Sequence, residues 1–83
     1  VIIGAVIDGV EYDLLTSEMV TAISVKQALY VTQNGNFFLC HSNFSGFRGD
    51  KITPITEEEA YRAAKKYYMP QKDRDKFFPR KAL

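Results

Sequence analysis

The chain has 83 residues, a net charge of +1, 46% apolar residues and a single cysteine. That length allows one compact domain, and that apolar content excludes intrinsic disorder, which goes with low hydrophobicity and high net charge. A lone cysteine excludes an internal disulfide and a cysteine-rich zinc site.

The opening run Val1–Ile7 (VIIGAVI) is apolar throughout. It is too short for a bilayer span and lacks the basic flank and cleavage site of a signal peptide, so it reads as a strand. The expectation is a cytoplasmic protein with no membrane partner. A first residue that is not Met points to a trimmed chain or a fragment. Asp8-Gly9 follows, a strong hairpin signal because a type I′ turn needs positive φ at both central residues. Val10–Leu14 is the returning strand, with Glu11 and Asp13 alternating against Val10, Tyr12 and Leu14. The first strand is apolar on both faces, so it reads as central in a sheet or covered by a partner.

Residues 15–27 are ambiguous. Thr16-Ser17-Glu18 fits the cap of a short helix through Ala22, whereas Thr21, Ile23 and Val25 favour a strand over Met19–Val25, the reading preferred here. Ala28–His41 is the clearest β segment, with ALYVT and FFLC flanking Asn34-Gly35. A two-residue turn there would pair Gln33 with Asn36, Val31 with Phe38 and Leu29 with Cys40. Tyr30, Thr32, Phe37, Leu39 and His41 would then share the opposite face. That face is expected to stay partly open.

Residues 42–52 read as a loop. Ile55 and Thr56 then begin a helix expected to reach about Tyr68, before Pro70. Thr56 with Glu59 is a capping box, Glu57 and Glu58 favour the helix dipole, and Ile55 can staple against Ala60. Ala60, Ala64 and Tyr67, flanked by Tyr61, Ala63 and Tyr68, form the expected buried stripe. The predicted fold is α+β: an antiparallel meander sheet of four to five strands with one C-terminal helix packed on one face. Residues 1–69 form the domain and 70–83 a tail. The charge divides accordingly, −2 over residues 1–69 and +3 over 70–83. Phe77-Phe78 are positioned to dock that tail.

Chemistry-bearing groups do not converge. Cys40 and His41 are neighbours in a strand and point to opposite faces, which excludes a nucleophile–base pair between them. Cys40 reads as a buried apolar residue and His41 as a partly exposed strand residue. Glu57, Glu58 and Glu59 point in different directions from a helix and are explained by capping. Arg48-Gly49-Asp50 and Asn43-Phe44-Ser45 match an adhesion tripeptide and a glycosylation acceptor, neither meaningful in a cytoplasmic chain. Gly46-Phe47-Arg48-Gly49 has the glycine spacing of an RNA-clamping loop, but such a loop joins two helices, and this one follows a strand. No catalytic residue, metal site or cofactor is predicted. The candidate binding surface comprises Tyr30, Phe37, His41, Phe47, Arg48, Arg74, Arg80 and Lys81.

Ile7-Asp8-Gly9-Val10-Glu11-Tyr12-Asp13, Leu29-Tyr30-Val31-Thr32 with Gly35 and Phe37-Phe38-Leu39, and Ile52-Thr53-Pro54-Ile55-Thr56-Glu57-Glu58-Glu59-Ala60 follow one another in an order that resembles a group of small, uncharacterised proteins. These are encoded on bacterial plasmids, conjugative elements and phages, with an IDGxxYD, LYxTxxGxFFL, IxPLTEEEA pattern. The resemblance covers roughly residues 7–68. It implies a mobile-element origin and an accessory role, and it transfers no functional residue. The segment before Ile52 is shorter than is common in the group, and the residues after Tyr68 lie outside its pattern.

The leading expectation is a non-enzymatic module that binds a protein, self-association included. It rests on the two-sided apolar character of residues 1–7 and 28–41, which exceeds what one helix covers. The second is single-strand nucleic-acid binding, with Tyr30 and Phe37 stacking bases and Arg48 with Arg74, Arg80 and Lys81 of the basic tail contacting phosphates. An enzyme is the third and least supported.

Overall fold

The computed structural model describes residues 4–41 and 51–79. Its architecture is α+β, with three layers: two helices, a four-stranded antiparallel sheet and a separate two-stranded hairpin.

The hairpin pairs β1 (Gly4–Ile7) with β2 (Val10–Asp13). Asp8 (φ 51°) and Gly9 (φ 78°) both adopt positive φ, as the Asp-Gly signal predicts. β1 is not central in a sheet: among the described residues it pairs with β2 alone, and Val6 is exposed. Gly4 has φ 153°, and a Cβ there would overlap the Tyr12 carbonyl oxygen across the ladder. Gly4→Ala is expected to destabilise the protein by about 1–3 kcal/mol, the range for forcing an atom into filled space, measured by urea unfolding. Wild-type stability in this variant would contradict the tight pairing.

The main sheet is a meander of β3 (Glu18–Ala22), β4 (Gln27–Val31), β5 (Phe37–His41) and β6 (Lys51–Pro54). Residues 18–22 are a strand, the preferred reading, though it ends before Val25, which is exposed in the β3–β4 turn. A bulge between Met19 and Thr21 leaves Val20 without a partner in the ladder, and Val20 is buried.

The β4–β5 register differs from the expected one by one residue. Leu29 faces Leu39, Val31 faces Phe37, and Tyr30 faces Phe38. The cause is the loop. Thr32 N–H donates to the Asn36 carbonyl (2.9 Å), Gly35 N–H to the Thr32 carbonyl (3.0 Å), and Asn36 N–H to Thr32 Oγ1 (3.0 Å). Gly35 takes φ 85° while Asn34 does not become positive. This is a three-residue loop with a glycine bulge, the alternative to a two-residue I′ turn. A one-residue slip exchanges the faces of one strand relative to the other. Phe37 and Leu39 therefore share a face with Leu29 and Val31, and Phe38 and Cys40 share the other with Tyr30.

Each face has its own cover. α1 (Glu57–Lys66) begins at Thr56 with a complete capping box: Glu59 N–H donates to Thr56 Oγ1 and Thr56 N–H to Glu59 Oε1, both 3.1 Å. Ala60 and Ala64 bury its inner side against Leu29, Phe37 and Val20, with Ile55 at the edge of the same cluster. The segment expected as a tail instead forms a second helix, α2 (Gln71–Phe77), and the following Phe78 is fully buried in that core. An exposed Lys76–Glu18 ion pair (2.8 Å) ties α2 to β3, a contact whose stabilising effect is small in solvent. On the opposite face, Tyr12 joins Phe38 and Cys40, with Ile7, Val10, Leu14, Tyr30 and Ile52 around them. The N-terminal hairpin thus covers the surface that the sequence left for a partner.

Candidate functional site

The predicted surface is not assembled as expected. Tyr30 and Phe37 lie on opposite faces of the sheet, a correction that follows from the three-residue loop. Phe37 is only 5% exposed and stacks flat on Phe78, with ring centroids 5.0 Å apart and planes 9° from parallel. Tyr30 is half-buried and stacks on Phe38 at 5.5 Å. Neither ring pair forms a joint platform for bases. His41 is exposed at the end of β5, opposite Gln27. Arg74 is half-buried on α2, where its Nη2 donates to Gln71 Oε1 (2.7 Å). Phe47, Arg48, Arg80 and Lys81 lie outside the described residues, as do the Arg-Gly-Asp and Asn-Phe-Ser matches. Cys40 is buried on the hairpin side. Among the described residues, no three His, Cys, Asp or Glu side chains cluster to hold a metal, and no helix is long and apolar enough to cross a membrane.

The surface that the fold does build lies along one flank of α1, where the helix meets the sheet. Ala63 is small, so the helix does not close down onto the sheet beside it. A groove of about 310 Å³ remains. Its floor is Ile23, Leu39 and Ile55, its helix wall is Ala63 and Tyr67, and Gln27, Glu59, Arg62 and Lys66 edge it. The Glu59 carboxylate is engaged at the capping box, accepting from both Thr56 N–H and Thr56 Oγ1–H at 3.1 Å. Arg62 approaches Glu58 at 3.7 Å in an exposed i,i+4 pair. Lys66 Nζ lies 5.6 Å from the centre of the Tyr67 ring.

The helix ends beside this groove in an unusual way. Met69 N–H donates to the Ala64 carbonyl (3.0 Å) and Tyr68 N–H to the Lys65 carbonyl (3.2 Å). Met69 and Ala64 are buried in the same cluster, and Pro70 prevents continuation. These are the two hydrogen bonds and the apolar contact of a Schellman motif. Its left-handed position, normally glycine, holds Tyr68 at φ 59°. The left-handed conformation costs an L-residue about 1–2 kcal/mol. Tyr68 is 92% exposed, so burial offsets none of that cost. Tyr68→Gly is therefore expected to stabilise the protein by about 1 kcal/mol, seen as a higher urea midpoint with unchanged slope. A lower midpoint would mean that the ring contributes to folding.

Sequence reasoning placed Tyr67 and Tyr68 on the buried stripe; the structure puts Tyr67 at 39% exposure and Tyr68 almost wholly in solvent. Pro70 was read as the helix stop, but the turn it imposes on 67–69 was not. Because the residue before proline avoids the helical region, the chain must turn at 67–69, and a bulky residue then occupies the turn position.

Compared with protein-family models, curated proteins and solved structures, the chain matches none of them.

Proposed function

We propose that this chain is a small non-enzymatic protein-binding module, accessory to a mobile genetic element, with inhibition of a host defence protein as one form of that role. The observation that carries the reading is Tyr68: a large aromatic side chain held in solvent on backbone that costs the fold stability, one residue after Tyr67, which lines an open apolar groove. Strain of this kind persists where it serves function, and tyrosine is among the residues that dominate protein interfaces. The mobile-element part rests on the resemblance over residues 7–68 and is an expectation. The two-sided apolar character of 28–41 no longer supports the reading, since the helices and the hairpin cover both faces of β4 and β5, while Val6 of β1 stays exposed. The nucleic-acid alternative has lost its stacking pair, because Phe37 is stacked beneath Phe78.

The test is affinity capture from a bacterial lysate with the tagged full chain, with and without nuclease, at two salt concentrations. The expected result is a discrete protein retained through nuclease and the higher salt. Recovery that disappears with nuclease or falls steeply with salt would move the function to nucleic acid. A chain that captures only itself, sedimenting as a dimer, would place the same class of function in self-association.

A further inference from the structure

We propose that the C-terminal end of α1 docks an acidic protein segment that carries an apolar anchor residue: the anchor enters the groove over Leu39 and Ile23, Tyr68 covers it, and carboxylates meet Lys66 and Arg62. This rests on the protein-binding reading and names the chemistry of the partner.

Three observations converge on it. The groove floor is aliphatic, which suits a branched or aromatic side chain from another protein better than a stacked base. Charge along α1 is segregated. The acids Glu57, Glu58 and Glu59 lie in the first turn and the cations Lys65 and Lys66 in the last, with Arg62 one turn before the helix ends. The one acid lining the groove, Glu59, has its carboxylate engaged by Thr56. Glu59 keeps its charge at the Thr56 end and Arg62 is paired with Glu58 at 3.7 Å, so the positive end of the groove is the last helical turn, where Lys66 favours an acidic occupant. Finally, Tyr68 stands where glycine would be more stable, adjacent in sequence to the groove residue Tyr67.

The test is an NMR titration of the ¹⁵N-labelled full chain with three probes: a ten-residue peptide alternating Leu and Glu, its counterpart alternating Leu and Lys, and a ten-nucleotide oligothymidylate. The Leu–Glu peptide is expected to move the amide signals of Leu39, Ala63, Lys66 and Tyr68, and the Leu–Lys peptide to leave them in place. Affinity for the acidic peptide should fall at least tenfold in Lys66→Glu and in Tyr68→Gly. The second variant also has a raised urea midpoint, so its loss of binding is separable from unfolding. No shifts with the Leu–Glu peptide, or equal shifts with the Leu–Lys peptide, would overturn the proposal. Shifts of the same signals by the oligothymidylate alone would overturn it in favour of nucleic acid. A captured protein that binds Tyr68→Gly and Lys66→Glu as well as wild type would leave the protein-binding reading intact and remove this surface from it.

Discussion

Phe78→Ala is expected to destabilise the protein by about 3–5 kcal/mol, the range for emptying a buried aromatic site. Phe78 has no exposed surface, stacks on Phe37 at 5.0 Å and meets Tyr61 edge-on at 5.3 Å. It belongs to the cluster that joins Leu29 and Val20 of the sheet to Ala60 and Ala64 of α1. Small domains have total stabilities of about 5–15 kcal/mol, and one of 83 residues lies toward the low end. The loss therefore leaves a large unfolded fraction at moderate temperature. Phe77 is only half-buried, and Phe77→Ala is the control, with a clearly smaller cost. Urea unfolding of the two variants decides the matter. A cost below 1 kcal/mol for Phe78→Ala would make residues 71–79 an appendage of the fold.

Phe38→Ala should cost a similar 3–5 kcal/mol but act on the other face. Phe38 is fully buried, stacks on Tyr30 and meets Tyr12 of the hairpin edge-on at 5.3 Å. Tyr12 is the buried residue through which β2 holds to the sheet. Loss of the Phe38 ring should free the hairpin before it unfolds the helix side. Hydrogen exchange should then show early loss of protection at β1 and β2 amides such as Tyr12 and Ala5, with Leu29 and Leu39 still protected. Uniform loss across both sheets would contradict a separable hairpin layer. Phe37 and Phe38 are consecutive and serve opposite cores, so their substitutions share a strand and should combine non-additively.

Local chemistry was the legible part of this sequence. Asp8-Gly9 specified its turn, Thr56 with Glu59 specified the start of α1, alternation in 10–14 specified β2, and the apolar runs flanking Asn34-Gly35 specified β4 and β5. The meander follows from those short connections. What failed was decided by competition between close alternatives. Asn34-Gly35 is compatible with a two-residue turn, but the Thr32 hydroxyl and backbone close a three-residue loop, and that single residue moved Phe37 to the helix side. The FFLC strand was read as too apolar for one helix, which was sound, yet the chain supplies its second cover from its own N-terminal hairpin. Residues 70–83 read as a tail that Phe77-Phe78 could dock; Phe78 does reach the core, but the helix over Gln71–Phe77 that carries it there was not foreseen.

The candidate surface was less legible than the fold for a physical reason. An exposed site is defined by what the core does not use, and the core is known only once the register is. Tyr67 and Tyr68 fit a helical stripe by spacing alone. Pro70 ends the helix just early enough to turn both outward, and the small Ala63 leaves the groove beside them.

The most direct measurement is calorimetric titration of the captured protein with wild type, Tyr68→Gly and Lys66→Glu. The account predicts 1:1 binding to wild type, with affinity reduced at least tenfold in each variant while Tyr68→Gly unfolds at a higher urea concentration than wild type. Unchanged affinity in both variants would contradict a docking surface at the end of α1.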